Sequence, residues 1–355
     1  MLTPQVACEA RDRQFREHDR YLKLAQLVAG ECSDLVQVRR IPASVQFRAK
    51  DPDSLHLKLM GYLNVGNEEK IAALASVEQV FCGVGDLAGV RVATYVESDR
   101  ERVVDLIRHH FHESLTGLPV EVDRKSRDSG YRATHCQVAL PERLIAGPDG
   151  RNLRGLTCEI QVCSMLAHAW NEIEHDIRYK VGRLGEVSPF EGILLDNFLE
   201  KTLEGDELIG QILSERATRL AITMLSSVAS MFPQTSRFAA NAQEVLREAV
   251  RLGYDSPERV QEALLSDPDF LSVAREQVAV YNTVLEAQGQ VARLDSDTAD
   301  VLLALLLSHH AADIRALHFR DLSSGQALRV ARIADAIAAA SEQDRHVEVA
   351  GPRQR

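Results

Sequence analysis

Gly130-Tyr131-Arg132-Ala133-Thr134-His135 and Cys158-Glu159-Ile160-Gln161-Val162-Cys163-Ser164 both alternate, and the second runs straight into Met165-Leu166-Ala167-His168-Ala169-Trp170. Alternation of this kind marks half-buried strands, because successive side chains point to opposite faces of a sheet. In the first strand, Tyr131, Ala133, His135 and Gln137 share one face, against Arg132, Thr134, Cys136 and Val138. In the second, Thr157, Glu159, Gln161 and Cys163 oppose Leu156, Cys158, Ile160 and Val162. A helix from Met165 to Lys180 is expected next, with Leu166, Trp170, Ile173 and Ile177 as its buried stripe and His168, Glu172, His175 and Tyr179 as a polar line. Its His168 and Glu172 could ligate a metal, but read better as a hydrogen-bonded support pair. The two strands thus carry a Tyr, a His, a Glu and a Gln, each of which on its own strand could equally be solvated surface.

Upstream, Ser44 to Lys50 alternates as well, with Val45 and Phe47 one way and Gln46, Arg48 and Lys50 the other. Asp51-Pro52 then starts a helix, Asp51 as cap and Pro52 in the first position. Ser54 and Lys58 lie one turn apart on it. A helix N-terminus with Arg48, Lys50 and Lys58 nearby suits a polyphosphate, although a single basic strand is also what a solvated sheet edge looks like. Asp86 to Val96 reads as an apolar strand with Asp86 at its entrance, where a carboxylate serves either as a magnesium ligand or as a turn residue.

Other expected elements are a helix from Gln5 to Cys32 ended by Gly30 and Ser33-Asp34, a short strand at Leu35–Val38, and a helix at Glu68–Phe81. Ser98–His112 is a further helix, whose His109-His110-Phe111-His112 run reads as surface. Pro119–Val122 is a short strand, and Asp123–Ser129 a charged loop. From Phe190 onward every pattern is helical, with segments at Leu194–Leu213, Thr218–Ser230, Ala239–Leu252, Pro257–Leu265, Ser272–Gln288, Asp295–His310 and Gly325–Ala340. No catalytic constellation stands out there; oligomerisation as a homo-oligomer, sensing, or plain support are its candidate roles. The expected fold class is α+β, a mixed sheet flanked by helices followed by an all-α C-terminal region. The expected domains are 1–40 (helical segment), 41–185 (sheet domain) and 190–350 (helical region).

The chain has 355 residues, of which 45% are hydrophobic and 26% charged, with formal net charge −11. That balance argues against broad electrostatic binding to nucleic acid, while leaving room for a local basic site. The six cysteines form no C-x-x-C pair, which gives little support to zinc and suits free thiols in a reducing, cytoplasmic setting. The N-terminus is too polar for a signal peptide. The most apolar run, Val301–Leu307, is bounded too tightly by Asp300 and His309 for a membrane span.

Five of these blocks together resemble the synthetase domain of the RelA/SpoT family, the (p)ppGpp synthetases, and especially the small alarmone synthetases. They are Arg48-x-Lys50-x-x-x-Ser54-x-x-x-Lys58; Asp86-x-x-Gly89-x-Arg91; Arg127-x-x-Gly130-Tyr131-Arg132-x-x-His135; Glu159-Ile160-Gln161-Val162-Cys163-Ser164; and the helix from His168 to Lys180. The resemblance covers roughly residues 40 to 185. It implies a nucleotidyltransferase-like sheet domain and a Mg²⁺-dependent enzyme, a GTP diphosphokinase. Such an enzyme moves the β,γ-pyrophosphate of ATP to the ribose 3′-hydroxyl of GDP or GTP.

By position, the resemblance implies that Arg48 and Arg91 sandwich the adenine, and that Lys50, Ser54 and Lys58 hold the ATP phosphates. Asp86 and Glu159 would hold Mg²⁺, and Glu159 would also draw the proton from the attacking hydroxyl. Tyr131 would stack on the acceptor base, His135 and Arg127 would contact phosphates, and Gln161 would orient Glu159 or the acceptor. Two departures stand out: Arg127 where the family has Lys, and Cys163 where it has Arg. Two alternatives follow from the latter and from the long helical region. One is a toxin-type synthetase acting on the tRNA 3′ end, and the other is a catalytically weak nucleotide-binding regulatory module.

Overall fold

The structure is a computed structural model that describes residues 1–111, 120–126, 130–147, 150–178, 187–325 and 327–349. They form two compact units. One comprises Met1–Val38, Pro42–Tyr95 and Val103–Gly205; the other comprises Arg39–Ile41, Val96–Arg102 and the chain from Asp206 onward.

The first unit is built on a mixed five-stranded sheet: β1 (Ala43–Ala49), β2 (Ala88–Thr94), β3 (Glu121–Ser126), β4 (Arg132–Ala139) and β5 (Thr157–Ser164), in the order β1-β2-β5-β4-β3. Only β2 and β5 run parallel; the other neighbours are antiparallel. One sheet face carries Val90, Val92, Cys136, Val138, Ile160 and Val162, all buried. Helix α1 (Pro4–Val38) packs against β1, β2 and β5.

Helix α1 does not stop at Gly30, and Leu35–Val38 is helix rather than strand. The buried stripe Tyr21, Leu24, Ala25, Val28 and Ala29 simply continues as Cys32 and Val36. An interior glycine costs about 1 kcal/mol, less than the roughly 1.5–3 kcal/mol from burying a side chain such as Val36. The expected helix over 68–81 is two, α2 (Pro52–Asn64) being followed by α3 (Glu68–Ala73) and α4 (Val77–Gly83). Ser76 makes the break by accepting from Gln79 N at 3.2 Å as a cap.

Helix α5 (Glu97–His110) follows β2. Its His109 is exposed as expected, whereas His110 is partly buried against Glu31 and Phe111 is fully buried; His112 lies outside the described residues. The charged stretch from Asp123 to Ser126 belongs to strand β3, at the sheet edge, and not to a loop; charges on an edge strand discourage further pairing.

Short α6 (Glu142–Ile145) precedes β5, and α7 (Met165–Arg178) follows it directly. The buried side of α7 is Ala167, Trp170, Asn171 and Glu174. Trp170 is 1% exposed as expected, but Ile173 and Ile177 stand 43% and 39% exposed. The polar Asn171 goes inside because it holds Arg132 at both its backbone N and O.

After α8 (Pro189–Ser230), the second unit contains α9 (Ala242–Arg251), α10 (Pro257–Leu264), α11 (Phe270–Ala287), α12 (Asp300–Leu317), α13 (Phe319–Ser324) and α14 (Arg329–Val349). Helix α8 is one helix of 42 residues where two were expected, since Ser214-Glu215-Arg216-Ala217 holds no breaker. The apolar run Val301–Leu307 is buried all round at the centre of this unit's core, with Leu246, Val260, Leu285, Ile333 and Ile337. Among the described residues, no helix is long and apolar enough to cross a membrane.

Candidate active site

Register turns the alternating strands into one polar surface. Across the sheet, Gln46 pairs with Arg91, Arg91 with Gln161, and Gln161 with His135. The next row is Arg48, Gly89, Glu159 and Gln137. Paired residues share a face, so five of the expected site residues, Arg48, Arg91, His135, Glu159 and Gln161, are brought together on the side of the sheet opposite α1. Gly89 contributes no side chain between Arg48 and Glu159; even a Cβ there would meet the Arg48 side chain only at 3.9 Å.

At one end sits a cation–carboxylate cluster. Lys50 Nζ lies 2.7 Å from Asp86 Oδ2 and Lys58 Nζ 2.9 Å from Oδ1. Lys50 is fixed by its backbone N–H donating to Leu87 O, and Lys58 by α2, whose start is capped as expected by Asp51 accepting from Ser54 N. Burial pushes the Asp86 carboxyl up, but Lys58 and Lys50 outweigh it and hold it well below the usual range. Burial likewise pulls Lys58 down, while Asp86 raises it further.

Beside this cluster, Glu159 accepts from two neighbours. His135 Nδ1 lies 3.0 Å from Oε1, and Gln161 Nε2 donates to Oε2 at 2.7 Å. A carboxylate only accepts, so Nδ1 carries the proton toward Glu159, and Nε2 on the far side of the ring lies 2.8 Å from the Tyr131 hydroxyl. Burial raises Glu159, yet the His135 contact brings it below its ordinary value. Asp86 also acts on Glu159, and Glu159 on Lys58, so the two clusters feel one another's charge.

The third cluster surrounds Arg91. Its Nη2 donates to Glu172 Oε1 at 2.7 Å and to Gln161 Oε1 at 3.4 Å; its Nη1 lies 3.5 Å from His168 Nε2. Burial and then Arg91 push His168 down, which leaves its ring neutral and able to accept. The spacing of His168 and Glu172 on one face of α7 was legible, but their partner is Arg91 rather than each other. Unforeseen too was that Asp86 would be held by the two lysines; nothing in local spacing could show it.

Gly130 takes φ +90°, and a Cβ there would strike Leu199 at 2.2 Å, so only glycine can lead the chain into Tyr131. Tyr131 packs on a small cluster of Ala133, Cys163 and Ala167. Cys163 does share the Glu159 face, yet at 2% exposure it lies beneath Tyr131 and α7 and does not line the surface. Arg48 is exposed and makes no hydrogen bond or ion pair among the described residues, and the Ser54 hydroxyl likewise makes none. Arg127, Tyr179 and Lys180 lie outside the described residues.

Asp86 and Glu159 are hard oxygen donors in mutual electrostatic reach, a set that fits Mg²⁺, which takes one or two carboxylates together with phosphate oxygens. Among the described residues, no group of three or more His, Cys, Asp or Glu side chains gathers to hold an ion alone.

Residues 47–183 match the family model of the region found in RelA / SpoT proteins. No curated protein matches the chain. Among solved structures, it is similar to the small alarmone synthetase 1 from Bacillus subtilis at 18% identity, covering 57% of this chain and 97% of that one, with a TM-score of 0.40. For the small alarmone synthetase 2 from the same organism the values are 21%, 56%, 97% and 0.41. For a GTP pyrophosphokinase family protein from Streptococcus pneumoniae they are 21%, 55%, 92% and 0.41.

Proposed function

We propose that the sheet domain is an ATP-dependent pyrophosphotransferase that makes (p)ppGpp from GDP or GTP. The observation that carries this reading is that His135–Glu159–Gln161 and Arg91 on one sheet face are linked directly to one another and electrostatically to the Lys50–Asp86–Lys58 cluster at its end. The match of residues 47–183 to the RelA / SpoT region supports it.

In this reading, Arg48 and Arg91 flank the adenine, planar cations against a π face. Lys50, Lys58 and Ser54 receive the ATP phosphates, and the lysines exchange one anionic partner, Asp86, for another. Asp86 and Glu159 are the residues that would hold Mg²⁺, which supplies compensation for the charge on the transferring pyrophosphate. Tyr131 presents its ring to the acceptor guanine, and contact with the acceptor phosphates is assigned to His135 and, by its place in the motif, Arg127.

The acceptor 3′-oxygen attacks the β-phosphorus of ATP. Its bond to that phosphorus forms as the bond from the β-phosphorus to the α,β-bridging oxygen breaks, and AMP leaves with that oxygen. The hydroxyl proton goes to Glu159, which is ionised at neutral pH and held in place by Gln161.

The test is incubation of the full chain with β-labelled ATP and, separately, GDP, GTP, AMP and tRNA, with the products resolved. Label on GDP or GTP is expected. Label on tRNA alone would replace the acceptor, and nucleotide binding with no transfer at all would leave a regulatory module.

A further inference from the structure

Two arginines are assigned to the donor base above, and the structure treats them differently. Arg91 is held by Glu172, Gln161 and His168, whereas Arg48 is exposed and has no hydrogen-bonding or ionic partner among the described residues. We propose that Glu172, assisted by His168, is a positioning residue that holds Arg91 as the preset wall of the donor-base site, leaving Arg48 as the wall that closes on the ligand. The proposal rests on the functional reading above.

The support is stiff for a structural reason. Helix α7 begins at Met165, directly after β5 ends at Ser164, with no loop between them. The Ser164 hydroxyl accepts from Ala167 N at 3.0 Å, and buried Trp170 anchors the next turn. Glu172 is therefore tied to the same strand that carries Glu159 and Gln161. An arginine side chain has much rotamer freedom to lose, and fixing it before the ligand arrives removes that loss from the binding step. Gln161 touches both Arg91 and Glu159, so the preset wall is also in register with the acceptor carboxylate. Arg48 sits on β1, at the sheet edge, exposed and with no side-chain partner among the described residues to hold it.

The Glu172 side of the pair is half exposed, so its replacement leaves folding intact. The experiment uses the full chain and measures binding of an α,β-methylene ATP analogue and, in parallel, of GDP. The proteins are the unchanged chain, Glu172→Ala, Glu172→Asp, Arg91→Ala and the Arg91→Ala/Glu172→Ala double variant, each checked for melting temperature. Glu172→Ala is expected to weaken the ATP analogue by about three- to tenfold with GDP binding unchanged. Glu172→Asp should recover part of the loss, and the double variant should bind no more weakly than Arg91→Ala alone.

Unchanged donor affinity in Glu172→Ala would overturn the proposal. So would an added loss in the double variant, or equal losses for both nucleotides. If the unchanged chain binds neither nucleotide, the functional reading falls and this proposal with it; donor binding that ignores Glu172 removes the positioning role alone.

Discussion

Lys58 holds Asp86 at 2.9 Å, and Lys50 takes the other carboxylate oxygen at 2.7 Å, so the acid expected to ligate a metal is already neutralised by the cations expected to bind phosphate. Two lysines against one carboxylate leave the cluster one positive charge in excess, and a triphosphate entering it has to take the lysines over from Asp86.

Replacing Asp86 by Asn leaves both lysines without their counter-charge. A loss of about 1–3 kcal/mol of stability is expected, below that of a fully buried pair because the cluster is partly open to solvent. The folded Asp86 lies below its unfolded value, so this contribution is fully present above about pH 4 and is lost as pH falls through the lower folded value. The gap in melting temperature between the two proteins should be full at pH 6–7 and shrink below pH 4. A constant gap across that range would assign the effect to packing.

Tyr131 offers two separable features. Its hydroxyl meets His135 at 2.8 Å, and its ring packs on Ala133, Cys163 and Ala167. Tyr131→Phe keeps the ring and should leave acceptor KM within about threefold. Tyr131→Ala should raise it about 5- to 150-fold, the range for loss of one base stack. Steady-state kinetics with the acceptor varied distinguishes the two.

Much of this surface was legible from strand alternation alone, since the faces of β4 and β5 follow from a period of two. Which residues become neighbours across strands was not, because register is decided between strands: Arg91 beside Gln161 and Gly89 beside Glu159 depend on pairings remote in the chain. Local signals also misled where burial overrode them. Gly30 did not end α1, Ile173 and Ile177 yielded the inside of α7 to Asn171 and Glu174, and Asp123 to Ser126 joined an edge strand despite their charge.

Cys163 has no room for a longer side chain. At 2% exposure against Ala133 and Ala167, its replacement by Arg should destabilise the chain by about 2–4 kcal/mol, since overpacking combines with a buried charge. Cys163→Ser should shift the melting midpoint far less. A Cys163→Arg variant as stable as the parent would mean that the position opens to solvent.

Within the helical unit, Asp313 meets Arg39 at 3.3 Å and Arg102 at 3.5 Å, and also accepts from His310 at 2.8 Å. Burial raises its carboxyl, yet these partners, His310 foremost, bring it below the ordinary value. Asp313→Ala strands the nearly buried Arg102 with Asp99 alone among its carboxylate partners in the described residues, and should cost about 2–4 kcal/mol. Denaturant midpoints at constant m-value measure it.

The central claim is that Glu159 takes the proton of the attacking hydroxyl. The most direct measurement is single-turnover transfer of label from ATP to GDP at saturating nucleotide, comparing the unchanged chain with Glu159→Gln. The substitution should slow transfer by about 10²- to 10⁴-fold while acceptor affinity stays within a few-fold. Transfer by Glu159→Gln at the rate of the unchanged chain would contradict the account.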